Sequence, residues 1–269
     1  MRENKKFRVI SLHFTNKCNL NCPMCYKKDD SGEALPHSFF LKLVPYLSKI
    51  THQVALGGGE PFMCPDFVEK FSKKCKKYNL ICNATTNGTL KDEIIEHSKY
   101  LTMLSVSFDK YKVSDLREHL NLLKELRESG IRIGSNLLID SDMFKPPTVF
   151  VKLVYLLFSQ AERVFALYPK NWEFIPILKY KIYYEFLSIR FKHFYIDDLT
   201  YKILSENRYK NWREPCHYGK DIININMDGT ITGCSFSKDV AMKIEKPKDL
   251  LKVSEIKFKE FYSCPHLRC

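Results

Sequence analysis

Short apolar runs rich in branched and aromatic residues alternate with longer stretches of helical period along the first two-thirds of the chain. "RVISLHF" (Arg8 to Phe14) predicts a buried strand, and "HSFFLKLVPYLSKI" a helix with Pro36 before it and Pro45 as a kink or interruption. "HQVALGG" predicts a second strand that ends in glycines. "DFVEKFSKKCKKY" predicts a helix, "LICNATTNG" a strand running into a turn, and "KDEIIEHSKY" a short helix. "LTMLSVSF" predicts the fourth strand. "SDLREHLNLLKELRESG" is amphipathic and stops at Gly130, a residue suited to the position just past a helix end. "IRIGSNLLI" is the fifth strand, "TVFVKLVYLLFSQ" a helix after Pro146-Pro147, and "RVFALYP" the sixth strand.

Six strands, each followed by a helix, argue for an α/β fold with a parallel sheet and right-handed crossovers. An open doubly wound sheet and an incomplete barrel both satisfy that alternation. In either, chemistry belongs at the C-terminal ends of the strands. The unusual residues fall there: cysteines after strand one, "GGGEP" after strand two, "TTNG" after strand three and "SFD" after strand four, with Asn136 inside strand five.

The last third reads differently. "EFIPILKYKIYYEFLSIRFKHF" predicts a long aromatic helix, and "DIININMDGTITGC" a hairpin turning at Asp228-Gly229. "KVSEIKFKEFY" predicts a short helix before "CPHLRC". The expected division is 1–206 for the α/β part and 207–269 for a small cysteine-rich extension, with the linker near Asn207 to Glu214.

The 269 residues suffice for one sizeable barrel with a small appendage. No apolar run is long enough to span a membrane, and the first residues lack the features of a signal peptide, so a cytoplasmic protein is expected. The first strand begins near residue 8, so no leader-peptide-binding domain is expected ahead of it. A reducing compartment favours metal ligands or reactive thiols over disulfides. Of ten cysteines, seven form two groups: Cys18, Cys22 and Cys25, then Cys216, Cys234, Cys264 and Cys269. Cys64, Cys75 and Cys82 read as small buried apolar side chains, with Cys64 nearest "GGGEP". The net charge of +12 suits an acidic partner or nucleic acid, but the lysines are spread out. The local run "KFSKKCKKY" reads as the wet face of a helix, with Phe71 and Tyr78 on or near its other face.

Three thiolates spaced C-x3-C-x2-C suit an iron–sulfur cluster or zinc. Structural zinc wants four ligands, and no fourth lies near in sequence. A cubane on three cysteines leaves one iron open to a substrate or cofactor. "CNLNCPMCY" (Cys18 to Tyr26) resembles the cluster motif of the radical S-adenosylmethionine (SAM) enzymes. The resemblance implies a [4Fe-4S] cluster on Cys18, Cys22 and Cys25, with SAM chelating the open iron. It implies reductive cleavage of SAM to a 5′-deoxyadenosyl radical, and a partial (β/α)6 TIM-like barrel. A reductant such as flavodoxin or ferredoxin is then the expected partner.

"GGGEP" (Gly57 to Pro61) is similar to the GGEP that family members carry after strand two. Glycines admit close backbone approach to a ligand, and a carboxylate can pair with an ammonium. By resemblance, Gly58, Gly59 and Glu60 bind the methionyl amino group or shape its site. Ser107, Asp109 and Asn136 are the implied contacts to SAM or substrate, and Tyr26 packs near the adenine or shields the cluster. His13 reads as structural.

Gly229 and Cys234, as G-x4-C after Cys216, resemble the start of the auxiliary-cluster extensions called SPASM and twitch domains. The four cysteines fit the shorter type, with one auxiliary [4Fe-4S] cluster on Cys216, Cys234, Cys264 and Cys269. Structural zinc on the same thiolates, with His217 or His266 able to replace one, is the rival reading. The expected activity is hydrogen abstraction from a peptide or small metabolite, with net oxidation assisted by the auxiliary cluster. RNA modification, motivated by the charge, and a non-enzymatic iron–sulfur or zinc protein are the alternatives.

Overall fold

The computed structural model describes residues 5–23, 25, 27, 33–109, 112, 115–139, 146, 148–167, 181–197, 214–217, 219–262 and 264. Contacts group the chain into two compact units. One comprises Met1–Asn21, Cys25–Leu104 and His217–Glu260; the other comprises Cys22–Met24, Ser105–Cys216 and Phe261–Cys269.

The first unit opens with β1 (Val9–Thr15), followed by α1 (His37–Ile50), β2 (Gln53–Gly58), α2 (Pro65–Lys77), β3 (Ile81–Thr86) and α3 (Lys91–His97). β1 pairs with β2 in parallel, Ile10 against Val54 and Leu12 against Leu56, and β2 pairs with β3 in parallel. Ile10, Leu12 and Phe14 are fully buried on one face of β1. Phe14 packs on Phe67 of α2 with ring centroids 4.3 Å apart, and edge-on to His37 of α1 at 5.7 Å. The opposite face carries Ser11 and His13. α1 runs unbroken through Pro45, because its buried stripe of Phe40, Leu43, Val44, Leu47 and Ile50 holds it against the sheet. α2 starts at Pro65, with Asp66 in its first turn and Lys74, Lys76 and Lys77 in its last, matching the helix dipole. Phe71 and Cys75 are buried beneath the lysines, as is Cys82 of β3, whereas Tyr78 is exposed at the helix end rather than packed.

β4 (Met103–Phe108) carries the chain from the first unit into the second. There α4 (Leu116–Glu128), β5 (Ile133–Leu138), α5 (Thr148–Phe158), β6 (Arg163–Leu167), α6 (Lys181–Arg190) and β7 (Phe194–Ile196) follow. Asp115 caps α4 by accepting from the Arg117 N–H at 2.8 Å, and Gly130 adopts φ +82° just past its end. β5, β6 and β7 pair in parallel. The aromatic stretch expected to be one long helix differs here. Its helix ends at Arg190, and Phe194 begins a seventh strand, because aromatic residues serve a half-buried strand as well as a helix. The part of that stretch before Lys181 lies outside the described residues.

The C-terminal hairpin returns to the first unit. β8 (Ile222–Ile225) and β9 (Thr230–Thr232) are antiparallel, and Gly229 turns the chain at φ +82° while Asp228 Oδ1 accepts from the Thr230 N–H. β8 also pairs in parallel with β1, Val9 against Ile222 and Leu12 against Ile225. A further strand, β10 (Val240–Lys243), lies antiparallel to β9. The helical piece after it is a 3₁₀ helix at Pro247–Glu255, earlier than the segment expected; Pro247 starts it and Leu250 and Val253 anchor it in the core. Among the described residues no helix is long and apolar enough to cross a membrane.

Candidate functional site

The loop that carries the first cysteines leaves β1 at Thr15. A bulge between His13 and Thr15 sets Thr15 against Gly58 of β2. From there two backbone bonds strap the motifs together: the Gly59 N–H donates to the Thr15 carbonyl at 2.8 Å, and the Glu60 N–H to the Lys17 carbonyl at 2.7 Å. The approach is close enough to require glycine. A Cβ on Gly59 would lie 2.1 Å from the Lys17 oxygen, and one on Gly58, at φ +123°, 2.2 Å from the Thr15 oxygen.

Glu60 is 1% exposed, and its carboxylate turns into its own chain. Oε1 accepts from the Phe62 N–H at 3.2 Å and from the Thr86 hydroxyl at 2.7 Å; Oε2 accepts from the Asn87 N–H at 2.7 Å. The first of these caps the 3₁₀ turn Pro61–Met63, and the other two fix the end of β3. Cys18 Sγ accepts from the Leu20 N–H at 3.4 Å and lies 3.9 Å from Asn87 Nδ2. N–H donors aimed at a cysteine sulfur are what a cluster-bound thiolate requires, so the Cys18 environment fits an iron–sulfur ligand. Among the described residues no three His, Cys, Asp or Glu side chains stand together as a metal site.

His13, on the face of β1 opposite Phe14, sets its ring against Gly57, where a Cβ would meet it at 3.3 Å. Burial pushes the imidazole down to about 3, with the Lys27 charge adding to the effect, so the ring is neutral. Lys27 itself donates to Asn226 Oδ1 at 3.3 Å.

In the second unit, Ser107 and Asp109 are both buried near the end of β4, and Asp109 is ion-paired with Lys112 at 2.8 Å. Asn136 pairs in register with Phe165 of β6, on the face where Phe165 stacks on Tyr195 at 5.0 Å. The Cys216 N–H donates to the Phe261 carbonyl at 2.7 Å, which holds Cys216 beside the segment that leads to Cys264. Cys234 belongs to the first unit, just past β9, where its carbonyl accepts from the Thr232 hydroxyl at 2.8 Å. His217 Nδ1 meets Asp221 Oδ2 at 2.8 Å. Tyr26, His266 and Cys269 lie outside the described residues.

Sequence reasoning marked "TTNG" after strand three but gave Thr86, Asn87 and the adjoining Thr89 no role, and it missed Asn19. Their signal was present: short hydrogen-bonding side chains within "CNLNC" and beside the glycine of "TTNGT".

Residues 12–140 match the family model described as the Radical SAM superfamily. The cysteine motif, GGGEP and the strap between them all lie within that matched segment. A segment of 115 residues is 30% identical to the uncharacterized protein MJ0907 of Methanocaldococcus jannaschii, covering 40% of each chain. Another of 96 residues is 32% identical to the tungsten-containing aldehyde ferredoxin oxidoreductase cofactor-modifying protein of Pyrococcus furiosus, covering 33% of this chain and 26% of that one. The chain thus matches less than half the length of either relative. In fold it is similar to Streptococcus suis SuiB bound to S-adenosylmethionine, at TM-score 0.72 and 15% identity over 97% of this chain and 67% of that chain. The α/β fold with a parallel sheet read from the alternation stands, and so does the partial TIM-like barrel that the resemblance implied.

Proposed function

We propose that the chain is a radical SAM enzyme that abstracts a hydrogen atom from a peptide or small-metabolite substrate, with net oxidation assisted by an auxiliary cluster. The observation that carries this reading is the double strap from Gly59 and Glu60 to Thr15 and Lys17, which brings GGGEP against the root of the cysteine loop. When bound and reduced, the [4Fe-4S] cluster and SAM supply the 5′-deoxyadenosyl radical that takes the hydrogen atom.

The chain's own residues position that pair. Cys18, Cys22 and Cys25 hold the cluster and leave one iron for the amino and carboxylate groups of SAM. Gly58 and Gly59 keep the backbone beside the loop, and Glu60 braces the end of β3. Ser107, Asp109 and Asn136 contact SAM, and Tyr26 packs near its adenine. Residues 207–269 form the auxiliary extension, in which Cys216, Cys234, Cys264 and Cys269 hold the second cluster, or zinc in the rival reading. The electron comes from a donor of the flavodoxin or ferredoxin kind. A peptide substrate is supported by the likeness in fold to SuiB, which has been solved with its precursor peptide SuiA.

The test is anaerobic reconstitution with iron and sulfide counted per chain, beside a Cys18/Cys22/Cys25→Ala triple variant. About eight irons in the parent and about four in the variant support two cubanes. About four and none, with zinc in both, leave a radical SAM site with a zinc tail and remove the auxiliary oxidation. A loaded parent that releases no 5′-deoxyadenosine from SAM under a strong reductant overturns the enzymatic reading.

A further inference from the structure

Three side chains close a one-way ring of hydrogen bonds between the cysteine loop and the turn after β3. Asn87 Nδ2 donates to Asn19 Oδ1 at 2.9 Å, Asn19 Nδ2 donates to Thr89 Oγ1 at 2.7 Å, and the Thr89 hydroxyl donates to Asn87 Oδ1 at 2.7 Å. Asn87 Oδ1 also accepts from the Thr89 backbone N–H at 2.9 Å. That bond settles which end of the amide is which. A backbone N–H only donates, so the atom facing it is oxygen and the atom facing Asn19 is nitrogen. Asn87 is 8% exposed, and its own N–H is held by Glu60. Backbone and side chain are both fixed, and Nδ2 is aimed past Asn19 at Cys18 Sγ, 3.9 Å away.

We infer that Asn87 is a positioning residue that tunes the reduction potential of the cluster held by Cys18, with Thr89 and Asn19 orienting its amide. The inference rests on the cluster reading above. Reduction adds one electron, and negative charge, to the cluster and its sulfurs. An N–H dipole directed at Cys18 Sγ stabilises the reduced form more than the oxidised form and so raises the potential. The Leu20 N–H acts on the same sulfur at 3.4 Å, but as backbone it is fixed by the turn. Asn87 is a side-chain donor to it, and it reports the state of GGGEP through Glu60. Any shift of Glu60 would move the Asn87 main chain and with it the dipole on Cys18.

The experiment compares the reconstituted parent with Asn87→Ala and Thr89→Val. Midpoint potentials are measured by titration followed by electron paramagnetic resonance, and iron is counted on the same samples. Asn87→Ala is expected to hold its iron and to be about tenfold harder to reduce, which for a one-electron couple is about 59 mV more negative. Thr89→Val leaves the amide but removes the hydroxyl that orients it, and is expected to shift the potential less, in the same direction. Iron-loaded variants with the parental potential overturn the inference. Loss of iron in both variants, with the fold kept by circular dichroism, also overturns it, leaving Asn87 only a role in holding the loop. A parent that binds no cluster sinks the cluster reading itself, so the two failures are told apart.

Discussion

Gly59 donates its backbone N–H to the carbonyl oxygen of Thr15 across 2.8 Å, and this one bond joins the glycine motif to the strand that feeds the cysteine loop. Space for it exists only without a side chain. Gly59→Ala puts a methyl 2.1 Å from the Lys17 oxygen, so the loop must move. The expected outcome is a loss of roughly 1–3 kcal/mol of stability and a large fall in iron bound per chain. Thermal unfolding and iron analysis check it; an alanine variant with parental iron content would show that the strap does not set the loop.

Glu60→Gln keeps shape and burial but replaces one acceptor with a donor. Whichever way the amide turns, an NH₂ faces either the Asn87 N–H or the Phe62 N–H with its Thr86 neighbour. A cost of about 1–3 kcal/mol is expected, with faster hydrogen exchange at the Asn87 amide. Urea unfolding and amide exchange measure both. Unchanged exchange at Asn87 would mean that the carboxylate does not brace the turn.

His13 predicts an acid-sensitive fold. Its folded value near 3 lies below the ordinary 6.5, so the unfolded chain takes up the proton first as pH falls. The stabilisation is complete above pH 6.5 and is lost progressively down to about 3, a total loss of roughly 5 kcal/mol. His119, pushed down to about 4 by burial alone, acts in the same direction. His13→Asn is expected to flatten the acid limb of a stability-versus-pH curve. An equally steep limb in the variant would assign the acid sensitivity elsewhere.

Phe14→Ala empties a fully buried site between Phe67 and His37. A loss of about 3–5 kcal/mol is expected, read as a lower denaturant midpoint with an unchanged slope.

The six strands were legible because branched and aromatic runs sit between glycines, prolines and amphipathic helices, and the hairpin because Asp228-Gly229 marks its turn. β7 was not. Its Phe194, Tyr195 and Ile196 continue an aromatic stretch whose period does not separate helix from strand. β10 is short and mostly exposed, so Val240–Lys243 shows no alternation to read. The cysteine and GGGEP motifs were legible as residue types, but the direction of the Glu60 carboxylate was not. A sequence shows that a carboxylate is present; only the fold shows that the N–H of Asn87 and the hydroxyl of Thr86 reach it first.

The pairing of β8 with β1 bears on how the protein is made. β1 emerges from the ribosome early, yet one of its edges waits for Ile222 and its neighbours, which are translated long after β2 through β7. Until then the nascent chain displays a row of unsatisfied backbone donors and acceptors beside Val9 to Leu12, a template for pairing with another molecule. So distant a closure slows the final step of folding and lengthens that exposure. A chain truncated before β8 would therefore be expected to aggregate through that edge.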